Sequence, residues 1–101
     1  MNPLQLLIGS IVKEVIFIED YLQIKFTDNT IININNNFKF NGENLKSIEE
    51  KELTLVIENN SGIDLNFKGN LIVSISLLDE DYNCPEAIEL YRKGKPPIIW
   101  D

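Results

Sequence analysis

The chain has no histidine and only one cysteine, one methionine and one tryptophan among 101 residues. Without histidine, no Cys–His or Ser–His nucleophile pair can form. With a single cysteine as well, none of the common zinc ligand sets can be assembled. The lone thiol, Cys84, excludes an intrachain disulfide and reads as a buried or half-buried structural group. Long hydrophobic runs are also missing, and no segment reaches the roughly 20 apolar residues needed to span a bilayer as a helix. No lysine or arginine precedes Lys13, and Gln5, Gly9 and Ser10 interrupt the opening apolar stretch, so the start lacks the form of a signal peptide. A cytoplasmic setting is expected. Glycine is sparse, and Gly42, Gly62, Gly69 and Gly94 stand singly at turn positions, so there is no phosphate-cradling loop.

Positive charge is scarce. Nine lysines and arginines face sixteen acids, for a net charge of −7 and a pI of about 4.5. That balance argues against nucleic acid or an anionic membrane as the partner, because phosphate binding needs a basic surface. It favours solubility and rapid capture of a basic protein.

What is present suits one folded domain over 1–101 with a modest core. The apolar fraction is 44%, rich in Ile, Leu, Val and Phe. Thirteen asparagines are unusual, densest at Asn35-Asn36-Asn37. Asparagine favours turns, although AT-rich codons give the same bias and are the simpler explanation.

A strand–turn–strand pattern occurs twice, 41 residues apart. Tyr21 to Asn35 aligns with Gly62 to Ser76. Leu22, Ile24, Phe26, Ile31, Ile32 and Ile34 fall opposite Ile63, Leu65, Phe67, Ile72, Val73 and Ile75, and Asp28-Asn29 falls opposite Gly69-Asn70. With Val12–Ile18 before the first copy and 52–58 before the second, each half reads as a three-stranded antiparallel meander. In the strand 52–58, alternation puts Leu53, Leu55 and Ile57 inward. One apolar face per meander predicts a sandwich or a partly closed barrel.

Around the meanders, Asn2, Pro3 and Gly9 have the positions of a cap, first residue and stop for a short helix with Leu4, Leu7 and Ile8 on one face. Residues 36–51 read as irregular, with a turn at Asn41-Gly42 and one helical turn capped by Ser47-x-x-Glu50. Near the end, 86–92 suits a strand with Ile88 and Leu90 inward, or a helix starting at Pro85. Lys93-Gly94-Lys95-Pro96 then turns the chain into a closing strand, 97–100, which favours the strand reading. The fold class is therefore mainly β: two pseudo-repeated meanders, a C-terminal hairpin and a short N-terminal helix.

Chemistry-bearing motifs are few. Asp79-Glu80-Asp81-Tyr82-Asn83 begins like a calcium loop, but Cys84 stands where glycine is needed and Leu90 where the closing glutamate belongs. Carboxylate pairs at Glu19-Asp20 and Glu49-Glu50 are sequence neighbours on turns, which is not the geometry of a glycosidase cleft. No metal, cofactor or catalytic residue is expected. The aromatic residues Tyr91 and Trp100 suit either the core or an interface, while Tyr82 sits among acids as an interface anchor would.

Three stretches carry a resemblance: Leu7-Ile8-Gly9 with Val12 soon after; Leu65 to Leu71; and Asp81-Tyr82-Asn83-Cys84-Pro85-Glu86-Ala87 running on to Ile99-Trp100. Together they resemble a group of small bacterial proteins with two meander halves, a DY-x-x-PEA loop and a final hairpin. Lys68-Gly69-Asn70 departs from that group's usual Asp-Gly turn. Proteins of this look are similar in size, charge and setting to immunity proteins that neutralise secreted toxins. The resemblance implies a non-catalytic cytoplasmic binder of a basic, nuclease-type toxin domain, as in toxin–antitoxin pairs. A self-associating β-module is the alternative. The partner-binding residues expected are Asp79, Glu80, Asp81, Tyr82 and Glu86, joined by Glu19 and Asp20.

Overall fold

The computed structural model describes residues 3–18, 21–78 and 87–100. Among these residues nine strands follow in order: β1 (Val12–Ile18), β2 (Tyr21–Phe26), β3 (Ile31–Ile34), β4 (Phe38–Phe40), β5 (Leu53–Asn59), β6 (Gly62–Phe67), β7 (Leu71–Ser76), β8 (Ile88–Tyr91) and β9 (Ile98–Trp100). Two 3-10 helices, Pro3–Leu7 and Leu45–Ile48, precede β1 and β5. All pairings are antiparallel, in a five-stranded sheet β1-β2-β3-β8-β9 and a four-stranded sheet β4-β7-β6-β5. The protein is mainly β, as the alternation implied.

The inner faces form one core. Leu22, Ile24 and Phe26 of β2 and Ile63, Leu65 and Phe67 of β6 are all buried, with Ile32, Ile34, Val73, Ile75, Ile88 and Leu90 around them. Leu4, Leu7 and Ile48 fill in from the two 3-10 helices, and Trp100 packs against the same cluster from β9. Removing water from these side chains is the main stabilising term for the sandwich. Among the described residues no helix is long and apolar enough to cross a membrane.

The repeat extends well beyond strand–turn–strand. Val12 pairs with Phe26 and Leu53 with Phe67, and each pairing is followed by a bulge, between Val12 and Glu14 and between Leu53 and Leu55. The turn asparagines Asn29 and Asn70 are both left-handed, at φ +71° and +63°. Where the halves meet, an Ile11–Glu52 bridge is flanked by hydrogen bonds that exchange under a 41-residue shift. Val12 N–H donates to Lys51 O (3.0 Å) and Leu53 N–H to Ser10 O (2.9 Å). Gly9 N–H donates to Leu53 O (2.8 Å) and Glu50 N–H to Val12 O (2.7 Å). Gly9 and Glu50 are both left-handed as well, at φ +98° and +70°. The molecule is thus a quasi-two-fold pair of halves.

Each half gives one strand to the other. β4 leaves the first meander and pairs with β7, placing Phe38 on Ile75 and Phe40 on Val73. β8 leaves the second and pairs with β3, placing Ile88 on Ile34 and Leu90 on Ile32. Since Ile75 and Val73 are the counterparts of Ile34 and Ile32, the exchange is reciprocal. Only the connections differ: Ile34 reaches Phe38 in four residues and Ile75 reaches Ile88 in thirteen. The acidic stretch 79–86 falls in that extra length.

Several sequence expectations are corrected. The middle segment, read as irregular, contains β4. Its Phe38-Lys39-Phe40 alternation was too short to register, and its pairing with β7 is supplied by the other half. The turn before β5 is capped by Asn44, whose side chain accepts from Lys46 N–H at 2.9 Å. Ser47 is inside that turn and Glu50 lies beyond it. The N-terminal helix is 3-10, and its three-residue period brings Leu4 and Leu7 together but leaves Ile8 40% exposed. In β5 the bulge shifts the inward positions to Leu53 and Val56, so Leu55 and Ile57 are 47% and 45% exposed. Residues 88–91 are strand, not helix, since β3 and β9 hold them on both sides. Asn2, proposed as the first cap, lies outside the described residues.

Candidate functional site at the crossover end

Strand directions gather several connections at one end of the sandwich. There β1 ends at Ile18, β2 starts at Tyr21, β5 turns into β6 through 60–61, and the exchanged chains cross at 35–37 and after β7. Backbone hydrogen bonds hold this crossing. Asn35 N–H donates to Ala87 O at 2.9 Å, Ser76 N–H to Asn37 O at 3.0 Å and Leu77 N–H to Ser61 O at 3.0 Å. Asn36 is 2% exposed and donates from Nδ2 to Ser76 O at 2.8 Å, while its Oδ1 has no hydrogen-bond partner among the described residues. The asparagine run, discounted as codon bias, therefore ties the two sheets together.

The expected partner-binding residues Asp79, Glu80, Asp81, Tyr82, Glu86, Glu19 and Asp20 all lie outside the described residues, as does Cys84. Their described neighbours are informative. Ile18, Tyr21, Leu78 and Ala87, from which these two segments leave and to which they return, all belong to the crossover end. Here Phe17 is the most exposed of the large apolar side chains, at 62%. Its ring lies 6.0 Å from that of Phe38, centroid to centroid, with the planes inclined at 59°.

Beside this aromatic pair the four-stranded sheet carries an open depression of about 500 Å³ on its outer face. Phe38 and Leu78 form its apolar wall, and Gly62 and Ser74 are among the residues beneath it. Asp64 and Lys39 flank Ser74 from the neighbouring strands, since both pair with it in register. Two strand spacings separate them, roughly 9–10 Å, and they form no ion pair. A Cβ at Gly62 would stand 2.5 Å from Ile75 O, so no side chain can cover the depression from that position.

The same positions on the five-stranded sheet carry a different set of side chains. Tyr21 stands where Gly62 does, and Gln23, Asn33 and Glu89 replace Asp64, Ser74 and Lys39. Gln23 Nε2 donates to Asn33 Oδ1 at 3.0 Å, and Glu89 accepts from Asn35 Nδ2 at 3.1 Å and Tyr91 O–H at 2.8 Å. One outer face satisfies its own polar groups, and the other leaves a carboxylate and an ammonium facing solvent across a hydroxyl. Sequence reasoning missed Phe17, Phe38, Asp64 and Lys39. The Tyr21/Gly62 mismatch in the aligned repeats was the available signal for the depression.

Elsewhere, one carboxyl is held in its charged form. Glu49 Oε2 accepts from Val15 N–H at 2.9 Å, and Lys46 Nζ lies 3.5 Å away. The backbone donor first, and the lysine second, hold its pKa below the usual glutamate range. Among the described residues no group of three or more Cys, Asp or Glu side chains could hold a metal ion. The chain matches no protein-family model, no curated protein and no solved structure.

Proposed function

We propose that this protein is a non-catalytic cytoplasmic binder of a basic protein, and that it serves as an immunity protein against a nuclease-type toxin. The observation that carries the reading is the crossover end. An aromatic pair, exposed Phe17 and half-buried Phe38, adjoins a depression with an unpaired Asp64, and the two acidic segments leave the sandwich at this same end. Aromatic anchors supply contact area, and surrounding acids attract a cationic partner from a distance. The net charge of −7 supports the same choice of partner. Asp79, Glu80, Asp81, Tyr82, Glu86, Glu19 and Asp20 are proposed as contacts. The stretch 79–86 supports this because the repeat completes its strand exchange in the first half without any such insertion.

The test is protection. A toxin domain encoded beside this gene is expressed with and without the protein, and the purified pair is titrated by calorimetry. Protected growth and a stoichiometric complex are expected. Unchanged killing in the presence of folded protein, or no heat of binding, would remove the immunity reading.

A further inference from the structure

Among the described strands the quasi-two-fold relation matches β1 with β5, β2 with β6, β3 with β7 and β8 with β4, and leaves β9 without a counterpart. β9 covers the outer edge of β8. There Trp100 pairs with Ile88 and Ile98 with Leu90, and both β8 side chains are fully buried. The outer edge of β4 carries no such strand among the described residues. Phe38 and Phe40, which stand where Ile88 and Leu90 do, are only half-buried. Ladder parity leaves their backbone open as well. Ser76 N–H donates to Asn37 O at 3.0 Å and Asn41 N–H to Ile72 O at 3.2 Å. Residues 37, 39 and 41 therefore face β7, and the N–H and C=O groups of Phe38 and Phe40 point away from it. None of these four groups has a partner among the described residues. Phe17 extends the apolar surface. Its register partner Leu22 is buried, so Phe17 lies on the inner face of β1, where its ring meets that of Phe38. The 3-10 helix Leu45–Ile48 does not take the place of the missing strand, because its counterpart Pro3–Leu7 sits on β5 while β9 sits on β8.

From this mismatch we infer that the β4 edge is a strand-addition site, taken by an extended segment of the protein partner with an apolar–acidic–apolar pattern. The inference says how the partner proposed above docks. It rests on that reading for the partner's identity and not for the mode of attachment. Unpaired strand-edge groups are satisfied by another extended chain, and β9 on β8 shows the arrangement within this molecule. By that template the added strand runs antiparallel to β4, with one apolar side chain opposite Phe40, as Ile98 is opposite Leu90, and a larger one opposite Phe38, as Trp100 is opposite Ile88. These two cover the half-buried rings and the face of Phe17, which is 62% exposed. The residue between them faces Lys39, which is exposed and in no ion pair among the described residues. A carboxylate suits that position and a cation does not, since directly opposed side chains of a strand pair interact. The same lysine disfavours a second copy: two β4 edges paired over all three residues set Lys39 against Lys39. The β9 strand of a second copy is already held on its own β8, and moving it would uncover Ile88 and Leu90.

The molecule's own β9 supplies the probe. A capped synthetic peptide of residues 96–101 with Ile99→Glu is titrated into the isotope-labelled full chain, and backbone amide resonances are followed. Saturable shifts at Phe38, Lys39 and Phe40 are expected, with slower amide exchange at Phe38 and Phe40. The same peptide with Ile99→Lys should bind about threefold more weakly or worse. In the Lys39→Glu chain, changed only at an exposed side chain, the order of the two peptides should reverse. No saturable shift at β4, shifts confined to β8 and β9, or a peptide preference unchanged by Lys39→Glu would each overturn the assignment. So would slowing of Phe38 and Phe40 exchange by concentrating the chain alone, which would give the edge to a second copy. The toxin domain separates the two readings. A stoichiometric complex that leaves Phe38 and Phe40 exchange unchanged overturns strand addition and keeps the immunity reading. Peptide binding at β4 with no toxin complex does the reverse.

Discussion

Gln5 and Lys46, 41 positions apart, do the same work on opposite edges of the sandwich: Gln5 Nε2 donates to Val56 O at 2.7 Å and Lys46 Nζ donates to Val15 O at 2.9 Å. Each ties a short 3-10 helix to the bulged edge strand of the other half. A 3-10 helix of one turn has little stability of its own, so these bonds help decide whether Leu4, Leu7 and Ile48 stay in the core. Gln5→Ala should lower unfolding stability by about 0.5–1.5 kcal/mol, the usual range for one intramolecular hydrogen bond. Chemical denaturation checks it, and Gln5→Glu should be worse than alanine because it sets a carboxylate against a carbonyl oxygen.

Acid should loosen the β1 edge, where Glu49 is held in its charged form. Glu49 ionises more readily in the folded chain, because Val15 N–H and Lys46 favour its charged form. Below the ordinary glutamate value of about 4.3, the unfolded chain therefore binds more protons than the folded one. Stability contributed by Glu49 is present above that value and is lost as pH falls through the lower folded value. Denaturation midpoints of Glu49→Gln should show a shallower decline with acid than those of the parent, and the two should converge at the lowest pH.

The paired core phenylalanines give a test of the repeat. Phe26 is 1% exposed and Phe67 is 2%, and each ends its strand against the bulge of its neighbour. Phe26→Ala and Phe67→Ala should each cost roughly 3–5 kcal/mol, and the two costs should be similar because the surroundings are related by the quasi-two-fold. A melting temperature unchanged by either substitution would contradict the register.

Much of this fold was legible, for a physical reason. Strict period-two alternation fixed which faces of β2, β6 and β7 are buried, and a one-residue slip would have exposed Phe26 or Phe67. What stayed hidden depends on contacts far apart in sequence. Leu55 and Ile57 looked inward because a bulge leaves no mark on residue type. Phe38-Lys39-Phe40 is a strand because β7 is there to receive it. For the candidate site, acid content pointed to 79–86 and 19–20, while Phe17 and Asp64 became visible only once the crossover brought their strands to one end.

Asn41 closes the far end of the exchanged strand. Its Nδ2 donates to Asn70 O at 2.8 Å and its Oδ1 accepts from Ile72 N–H at 2.8 Å. The bonds cross from the end of β4 to the β6–β7 turn at Asn70 and to the start of β7 at Ile72, so the side chain extends a short ladder. Asn41→Asp keeps the acceptor, loses the donor and places a charge near a carbonyl. It should destabilise the chain by about 0.5–1.5 kcal/mol, read by chemical denaturation.

Binding should divide into charge and anchor contributions. Replacing Asp79, Glu80 and Asp81 with Asn or Gln removes three charges from the stretch that the repeat does not need, so unfolding stability should change little. Association with the basic partner should slow, and its rate should depend less steeply on salt, because screening acts on the attraction between separated charges. Phe17→Ala should act differently. Phe17 is already 62% exposed, so its removal leaves the core intact, and the loss should appear mainly as faster dissociation. Asp64→Asn should fall between the two if a cationic side chain enters the depression beside Ser74. Stopped-flow and surface-capture kinetics at two salt concentrations separate these outcomes. A triple charge variant that associates at the parent rate in low salt would exclude 79–86 from the encounter surface, and a Phe17→Ala variant with an unchanged dissociation rate would exclude the aromatic pair.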